Sequence, residues 1–167
     1  MSGTIPNIKW DLRFLGLAQN PISTWSKDPS TQVGAVITDG KEIVSVGYNG
    51  FPADVEDKPE WYHDRDKKLS LMVHAEVNAK RIANRPLLGC TLYTYPFLPC
   101  RVCAEEFIGT GIKRAVSLKN TEARWDESIN AAKNRFQMAG IEVDDMYAVQ
   151  KTLGGLNNYI YRIRPEE

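Results

Sequence analysis

His74-Ala75-Glu76 and Pro99-Cys100-Arg101-Val102-Cys103 contain, between them, the residue types that bind and use a zinc ion. One imidazole nitrogen and two thiolates make three protein ligands. That leaves one tetrahedral position open for water, as in catalytic rather than structural zinc sites. Zinc lowers the pKa of a bound water toward about 7, which makes hydroxide available near neutrality. Glu76, two residues after the histidine, is suited to take up the released proton and deliver it to a leaving group. A closed structural site needs a fourth Cys or His, and Cys90 and His63 are the remaining candidates. Cys90 opens an apolar run and reads as a small buried hydrophobe, whereas His63 falls in a polar stretch and reads as exposed. Recruiting either would leave Glu76 without a task. The residues alone therefore point to an open-site zinc hydrolase acting on an amino-substituted ring.

Both segments fall at expected helix starts, where unpaired backbone N–H groups and a partial positive charge gather. This setting lowers thiol pKa, so both Cys100 and Cys103 are expected as thiolates before metal arrives. Spaced by three, they share one helical face.

The elements that must carry these segments follow from periodicity. Residues 8–20 place Ile8, Leu12, Leu15 and Ala18 at helical spacing, and Pro21 ends or kinks that helix. Residues 26–31 read as a polar loop and residues 32–38 (QVGAVIT) as a buried strand. Asp39-Gly40 then signals a hairpin into a second strand over 42–48. Residues 49–68 form a long charged loop containing Gly50, Pro52 and Pro59, a length more typical of ligand loops than of spacers. Residues 69–73 lead into a helix over 74–84, stopped before Pro86. Further expectations are a strand at 91–95, a helix from Pro99 to about residue 110 ending at Gly111, and a strand at 112–118. A helix over 122–138 closed by Gly140 and a strand at 141–143 complete the pattern. Trp125 reads as core. Strands alternating with helices after a hairpin indicate an α/β three-layer sandwich, with a mixed sheet of about five strands and helices on both faces.

The chain of 167 residues is long enough for one full hydrophobic core, so residues 1–167 are expected to form a single domain with 145–167 as a tail of open role. Within that tail, residues 153–156 look like a turn and 159–163 like an edge strand or partner-binding arm. With 21 basic and 21 acidic residues the net charge is zero, which disfavours non-specific nucleic-acid binding. No stretch approaches the roughly 20 apolar residues of a membrane span and no targeting leader is evident, so no membrane association and a cytoplasmic location are expected. Three cysteines, two of them in C-x-x-C, favour metal binding over disulfides.

H-x-E followed by P-C-x-x-C is the pattern of zinc-dependent nucleobase deaminases. With GYNGFP (47–52), HAEVNA (74–79), PCRVCAEEFIGTGIK (99–113), SKDPSTQVGAV (26–36), KPEW (58–61) and QMAGIEV (137–143), the chain resembles the deoxycytidylate deaminases of the cytidine/deoxycytidylate deaminase superfamily. The resemblance spans residues 10 to 143 and implies a cytidine deaminase-like fold and hydrolytic conversion of dCMP to dUMP in thymidylate supply. It also implies a homohexamer activated by dCTP with Mg2+ and inhibited by dTTP. Carried over by position, His74, Cys100 and Cys103 hold one zinc per chain and Glu76 is the acid/base. Asn49 and Ala75 contact the nucleotide, and Ser26 and Lys27 lie near its phosphate. Tyr48, Asn49, Gly50, Phe51 and Pro52 form much of the effector site, and Arg85, on the helix after HAE, belongs to subunit contacts and effector response.

Two departures stand out. Trp25 occupies the place where the family commonly carries Arg before Ser-Lys-Asp-Pro, and Lys80 replaces a usually apolar residue. Alternative readings stay open: a deaminase of dCTP, a deaminase of a base in tRNA or single-stranded nucleic acid, or a catalytically silent nucleotide-sensing zinc module. The zero net charge and the long loop argue against a nucleic-acid substrate, and the intact Glu76 argues against the silent module.

Overall fold

A computed structural model describes residues 8–146. The turn and edge strand expected at 153–163 lie outside the described residues. One five-stranded sheet runs β2-β1-β3-β4-β5. Its strands are β1 (Gly34–Asp39), β2 (Glu42–Tyr48), β3 (Thr91–Tyr95), β4 (Arg114–Ser117) and β5 (Glu142–Asp144). β1 pairs antiparallel with β2 and β3, and the β3–β4 and β4–β5 pairs are parallel. The mixed sheet follows from the connections. Asp39, Gly40 and Lys41 allow a tight reversal with Gly40 at φ +57, while the later strands are separated by helices long enough to cross over.

The alternation of side chains along the strands divides the core in two. Ala35, Ile37, Leu92 and Ala115 face α3 (Ala75–Ile82), α4 (Arg101–Phe107) and α5 (Asp126–Met138), with Phe107, Ile129 and Phe136 filling that layer. Val36, Tyr93 and Val116 face the other way, onto Leu12, Phe14 and Leu15 of α1 (Lys9–Leu17). Helices therefore cover both faces, as the strand and helix alternation requires. Asp11 of α1 also accepts from Tyr93 Oη at 2.7 Å and from both terminal nitrogens of Arg114 at 2.8 Å, which joins the α1 layer to β3 and β4.

Several boundaries differ from the sequence expectation for local reasons. The first helix leaves helical geometry at Asn20 (φ −150, ψ 120), immediately before Pro21, and helical turns resume as far as Trp25. The segment 49–68 is not all loop. It contains a 3-10 turn at Pro59–Tyr62 with Tyr62 buried, and the start of a helix that the sequence reading missed, α2 (Arg65–Leu71). Asp64 caps α2 by accepting from Lys67 N at 3.0 Å. α2 buries no residue, so it has no apolar stripe to betray it in the sequence.

α3 sits on β2 at unusually close range. A Cβ at Gly47 would overlap backbone atoms of Ala75 and Ala79, and Ser45 Oγ donates to Ala79 O at 2.8 Å. Only glycine permits this approach, and α3 begins next to His74. Gly47→Ala is expected to destabilise the fold by at least about 1–3 kcal/mol, the usual cost of overpacking. Urea unfolding measures it, and a midpoint equal to wild type would show that strand and helix have room to spare.

Candidate active site

Two short segments deliver the metal-ligating side chains. Val73 forms an antiparallel bridge with Gly50, exchanging backbone hydrogen bonds of 2.8 and 3.1 Å, which holds the chain extended between α2 and α3. His74 follows as the extended N-cap of α3 (φ −71, ψ 152). Cys100 is likewise the extended N-cap of α4 (φ −70, ψ 169), and its Sγ accepts from Cys103 N at 3.5 Å. Cys103 lies one turn further on, inside α4, and is buried.

These three meet. His74 Nδ1 is 3.1 Å from Cys103 Sγ and 3.5 Å from Cys100 Sγ, and all three ligand atoms lie within 4.8 Å of one another. Zn–N and Zn–S bonds of about 2.0 and 2.3 Å in a tetrahedron require ligand separations of roughly 3.5–3.8 Å. The donor types and their spacing thus fit zinc, with Nδ1 as the imidazole donor. Among the described residues this is the one His/Cys/Asp/Glu group so arranged.

The electrostatics correct one sequence expectation. Cys100 is pushed down to about 4, chiefly by its hydrogen bond with the Cys103 thiol and further by His74. Cys103 moves the opposite way, pushed up first by that same bond to Cys100 and then by burial. Two sulfurs this close share a proton, so without metal one thiolate is present rather than two, and metal binding must release the other proton. The bond to Cys100 also raises His74. Burial raises the Glu76 carboxyl, which is 4% exposed, and its Oε2 lies 3.6 Å from Cys103 Sγ. A carboxyl whose proton affinity is raised by burial is suited to accept a proton and return it.

His74, Glu76 and Cys100 line a cavity of about 250 Å³, together with Ala75, Asn49, Phe97 and Trp125. Asn49 reaches it with its polar atoms committed: Oδ1 accepts from Val33 N at 2.8 Å, and Nδ2 donates to Thr31 O at 2.9 Å. Asn49 is therefore also the strut that fixes residues 31–33 along the wall. Ser26 and Lys27 do not line this cavity. Ser26 Oγ accepts from Asp28 N at 3.2 Å, and Lys27 Nζ pairs with Asp57 at 2.6 Å. Of the residues expected near an effector, Gly50 forms the bridge beside His74. Phe51 stacks on Tyr62 with ring centres 4.1 Å apart, and Tyr48 packs edge-on against Trp25. Pro52 O accepts from Val55 N at 3.0 Å in the turn that follows.

Arg85 is not on the helix after HAE, because α3 ends at Ile82 and the approach to Pro86 disfavours helix. It pairs with Asp39 and Glu42 of the β1–β2 hairpin. Lys80 joins α3 to α4 through Glu106 Oε2 at 3.1 Å. Cys90 is fully buried and His63 exposed, as expected. The cavity residues that sequence reasoning missed are Arg65 and Lys68 of α2, Asp28, Phe97 and Arg124. Trp125, read as core, lines the cavity beside them, tilted on Phe97 at 5.6 Å. Asp64 as a helix cap was the one signal that could have disclosed α2 and its two cations.

Residues 8–119 match the family model described as the cytidine and deoxycytidylate deaminase zinc-binding region. A protein of Aliivibrio fischeri described as an uncharacterized deaminase in the luxG 3' region is 44% identical over 138 residues, covering 81% of this chain and 92% of its own length. Human deoxycytidylate deaminase is 37% identical over 141 residues, covering 80% of this chain and 78% of its own. The crystal structure of dCMP deaminase from cyanophage S-TIM5 in apo form superimposes with a TM-score of 0.64 at 21% identity, covering 84% of this chain and 98% of that one. That likeness bears on the fold, and it matches the mixed sheet with helices on both faces. The family model and the two sequence relatives bear on descent: the chain belongs to the cytidine and deoxycytidylate deaminase zinc-binding family.

Proposed function

We propose that the chain, working as a single domain, hydrolyses the 4-amino group of dCMP to give dUMP and ammonia. The observation that carries this reading is the convergence of His74 Nδ1, both cysteine sulfurs and the buried Glu76 carboxyl, with His74, Cys100 and Glu76 lining one cavity of about 250 Å³. Relatives named deoxycytidylate deaminase at 37% to 43% identity support dCMP as the substrate. When bound by His74, Cys100 and Cys103, zinc supplies the Lewis acidity that makes water a nucleophile near neutral pH.

The remaining work falls to the chain's own residues. Glu76 accepts a proton from the attacking water and passes it to the ring nitrogen beside C4. It then takes the remaining proton from the hydroxyl now on C4 and gives it to the departing amine, so that C4 forms its C=O bond, loses its C–N bond to ammonia, and Glu76 returns to its starting state. Burial raises the proton affinity of the Glu76 carboxyl, the direction such shuttling needs. Ala75 and Asn49 form the wall against which the nucleoside is positioned, and Phe97 and Trp125 offer aromatic surface to its ring.

The family resemblance extends the proposal to regulation: activation by dCTP with Mg2+, inhibition by dTTP, and a homohexamer, with residues 48–52 and Arg85 in the effector response. The Gly50–Val73 bridge supports a link, since it ties that segment to the residue before His74. A cytoplasmic location is also proposed, supported by three free cysteines, which suit a reducing compartment.

Glu76→Gln is expected to lower kcat on dCMP by about 10²–10⁴-fold while retaining one zinc per chain by metal analysis. Wild-type turnover in that variant, or two zinc ions per wild-type chain, would contradict the assignment. Cys103→Ala should lose both zinc and activity, and a variant that kept stoichiometric zinc would remove Cys103 from the ligand set. For regulation, Phe51→Ala and Arg85→Gln should weaken dTTP inhibition with zinc content preserved. Unaltered inhibition curves in both would count against the effector assignment.

A further inference from the structure

We propose that Arg65 and Arg124, steadied by Lys68, form a clamp that selects a single 5′-phosphate on the substrate; this rests on the deamination reading above, which supplies the nucleotide. All three cations line the cavity that contains His74 and Glu76. The carboxylates of that cavity are Asp28 and Glu76. Glu76 is buried next to Cys103, whereas Arg65 and Arg124 are exposed, so the cations occupy the solvent side and Glu76 the floor.

The cavity's own carboxylate on the side of the cations, Asp28, is already compensated. Asp28 Oδ1 accepts from Ser30 N at 2.8 Å, Thr31 N at 3.3 Å and Lys68 Nζ at 3.1 Å. Lys68 thereby neutralises Asp28 and is held in place by it, with side chains 14% and 6% exposed. Arg65 has no ion-pair partner among the described residues. Among the described residues Arg124 has one ion-pair partner, Glu122, with both side chains more than half exposed, and lies over the Trp125 ring at 5.3 Å; such an exposed pair is weak enough to yield to a better acceptor. Two guanidinium groups without firm partners thus stand at the open side of a cavity whose other end holds the reaction groups. A phosphate dianion is the ligand such groups fit, since each guanidinium can bind two of its oxygens at once.

The positions expected to serve this purpose are elsewhere. Trp25, where the family commonly carries Arg, is 52% exposed, packs on Tyr48 and lines neither the small cavity nor its neighbour. Lys27 is occupied by Asp57. Beyond Arg124 the cavity meets a cleft of about 610 Å³, the two sharing Asp28, Ser30, Thr31, Phe97 and Arg124. The charged lining of that cleft among the described residues is Asp28, Glu122 and Arg124, so past Arg124 it offers no further cation. A second and third phosphate would pass out of the clamp into a space that offers them no further cation, so one phosphate is favoured over three.

The test uses the zinc-loaded full chain with Arg65→Gln, Arg124→Gln and Arg65→Lys. Lys68 is left intact because removing it would strand Asp28. Two ratios are measured: kcat/KM on dCMP over that on deoxycytidine, and calorimetric affinity for dUMP over that for deoxyuridine. Each glutamine variant is expected to lower both ratios about tenfold or more, as for loss of a charged hydrogen bond, with Arg65→Lys recovering part. Wild type should also convert dCMP at least tenfold better than dCTP, product being followed as dUMP and dUTP. Ratios within twofold of wild type in both glutamine variants overturn the clamp, and equal use of dCTP overturns its preference for one phosphate. If wild type deaminates no cytosine compound, the deamination reading fails, and the dUMP and deoxyuridine affinities still decide the clamp.

Discussion

His74 and Cys100 are both helix N-caps, and the structure depends on those two caps arriving at the same point. An N-cap has extended backbone geometry, so its side chain projects past the end of its helix instead of lying along it. α3 and α4 lie on the same face of the sheet, and the starts of both helices meet where the three donors converge. Each cap is reached from a different constraint: His74 from the bridge between Val73 and Gly50, Cys100 from the end of β3 through the segment 96–99. The Lys80–Glu106 pair then braces the two helices beyond the site. The convergence costs the chain something electrically. Without a metal the two sulfurs hold a proton between them, so the site is complete only when a cation replaces it.

The metal set was legible because it depends on local order: H-x-E and C-x-x-C fix residue types and helical spacing before any tertiary contact is known. The layered sheet was legible for a similar reason, since the period-2 strands and their intervening helices admit few arrangements. Boundaries moved where capping decided them, as at the start of α4, where Cys100 is the cap and Pro99, expected in the first turn, precedes the helix. α2 was hidden because none of its residues is buried, so the hydrophobic pattern that announces a helix is absent. Trp125 reads as core because apolar bulk and cavity lining look alike in a sequence. Arg65, Lys68 and Arg124 were unreadable as a group, since they come from two elements far apart in the chain and meet only across a folded cavity.

Global charge carried little of this information. A sum of zero conceals a wall where cations stand on the solvent side and a buried carboxyl on the floor, next to a cleft that among the described residues offers no cation past Arg124. Fields inside a cavity are set by nearby groups, because more distant exposed charges are screened within about 10 Å at ordinary salt. The arrangement within the cavity, and not the total, is what a ligand meets.

Gly34 and Gly47 lie at the same end of the β1–β2 hairpin. A Cβ on Gly34 would overlap the backbone of Ala18, as one on Gly47 would overlap α3. At this end of the sheet, main chain therefore rests directly on main chain in both outer layers. Side chains absorb small displacements by changing rotamer, but two backbones in contact have no such freedom. The hairpin end thus behaves as a rigid anvil beneath α3. A push on either outer layer there is transmitted through the sheet as a translation instead of being dissipated, and the start of α3, with its imidazole, moves only if the hairpin moves with it.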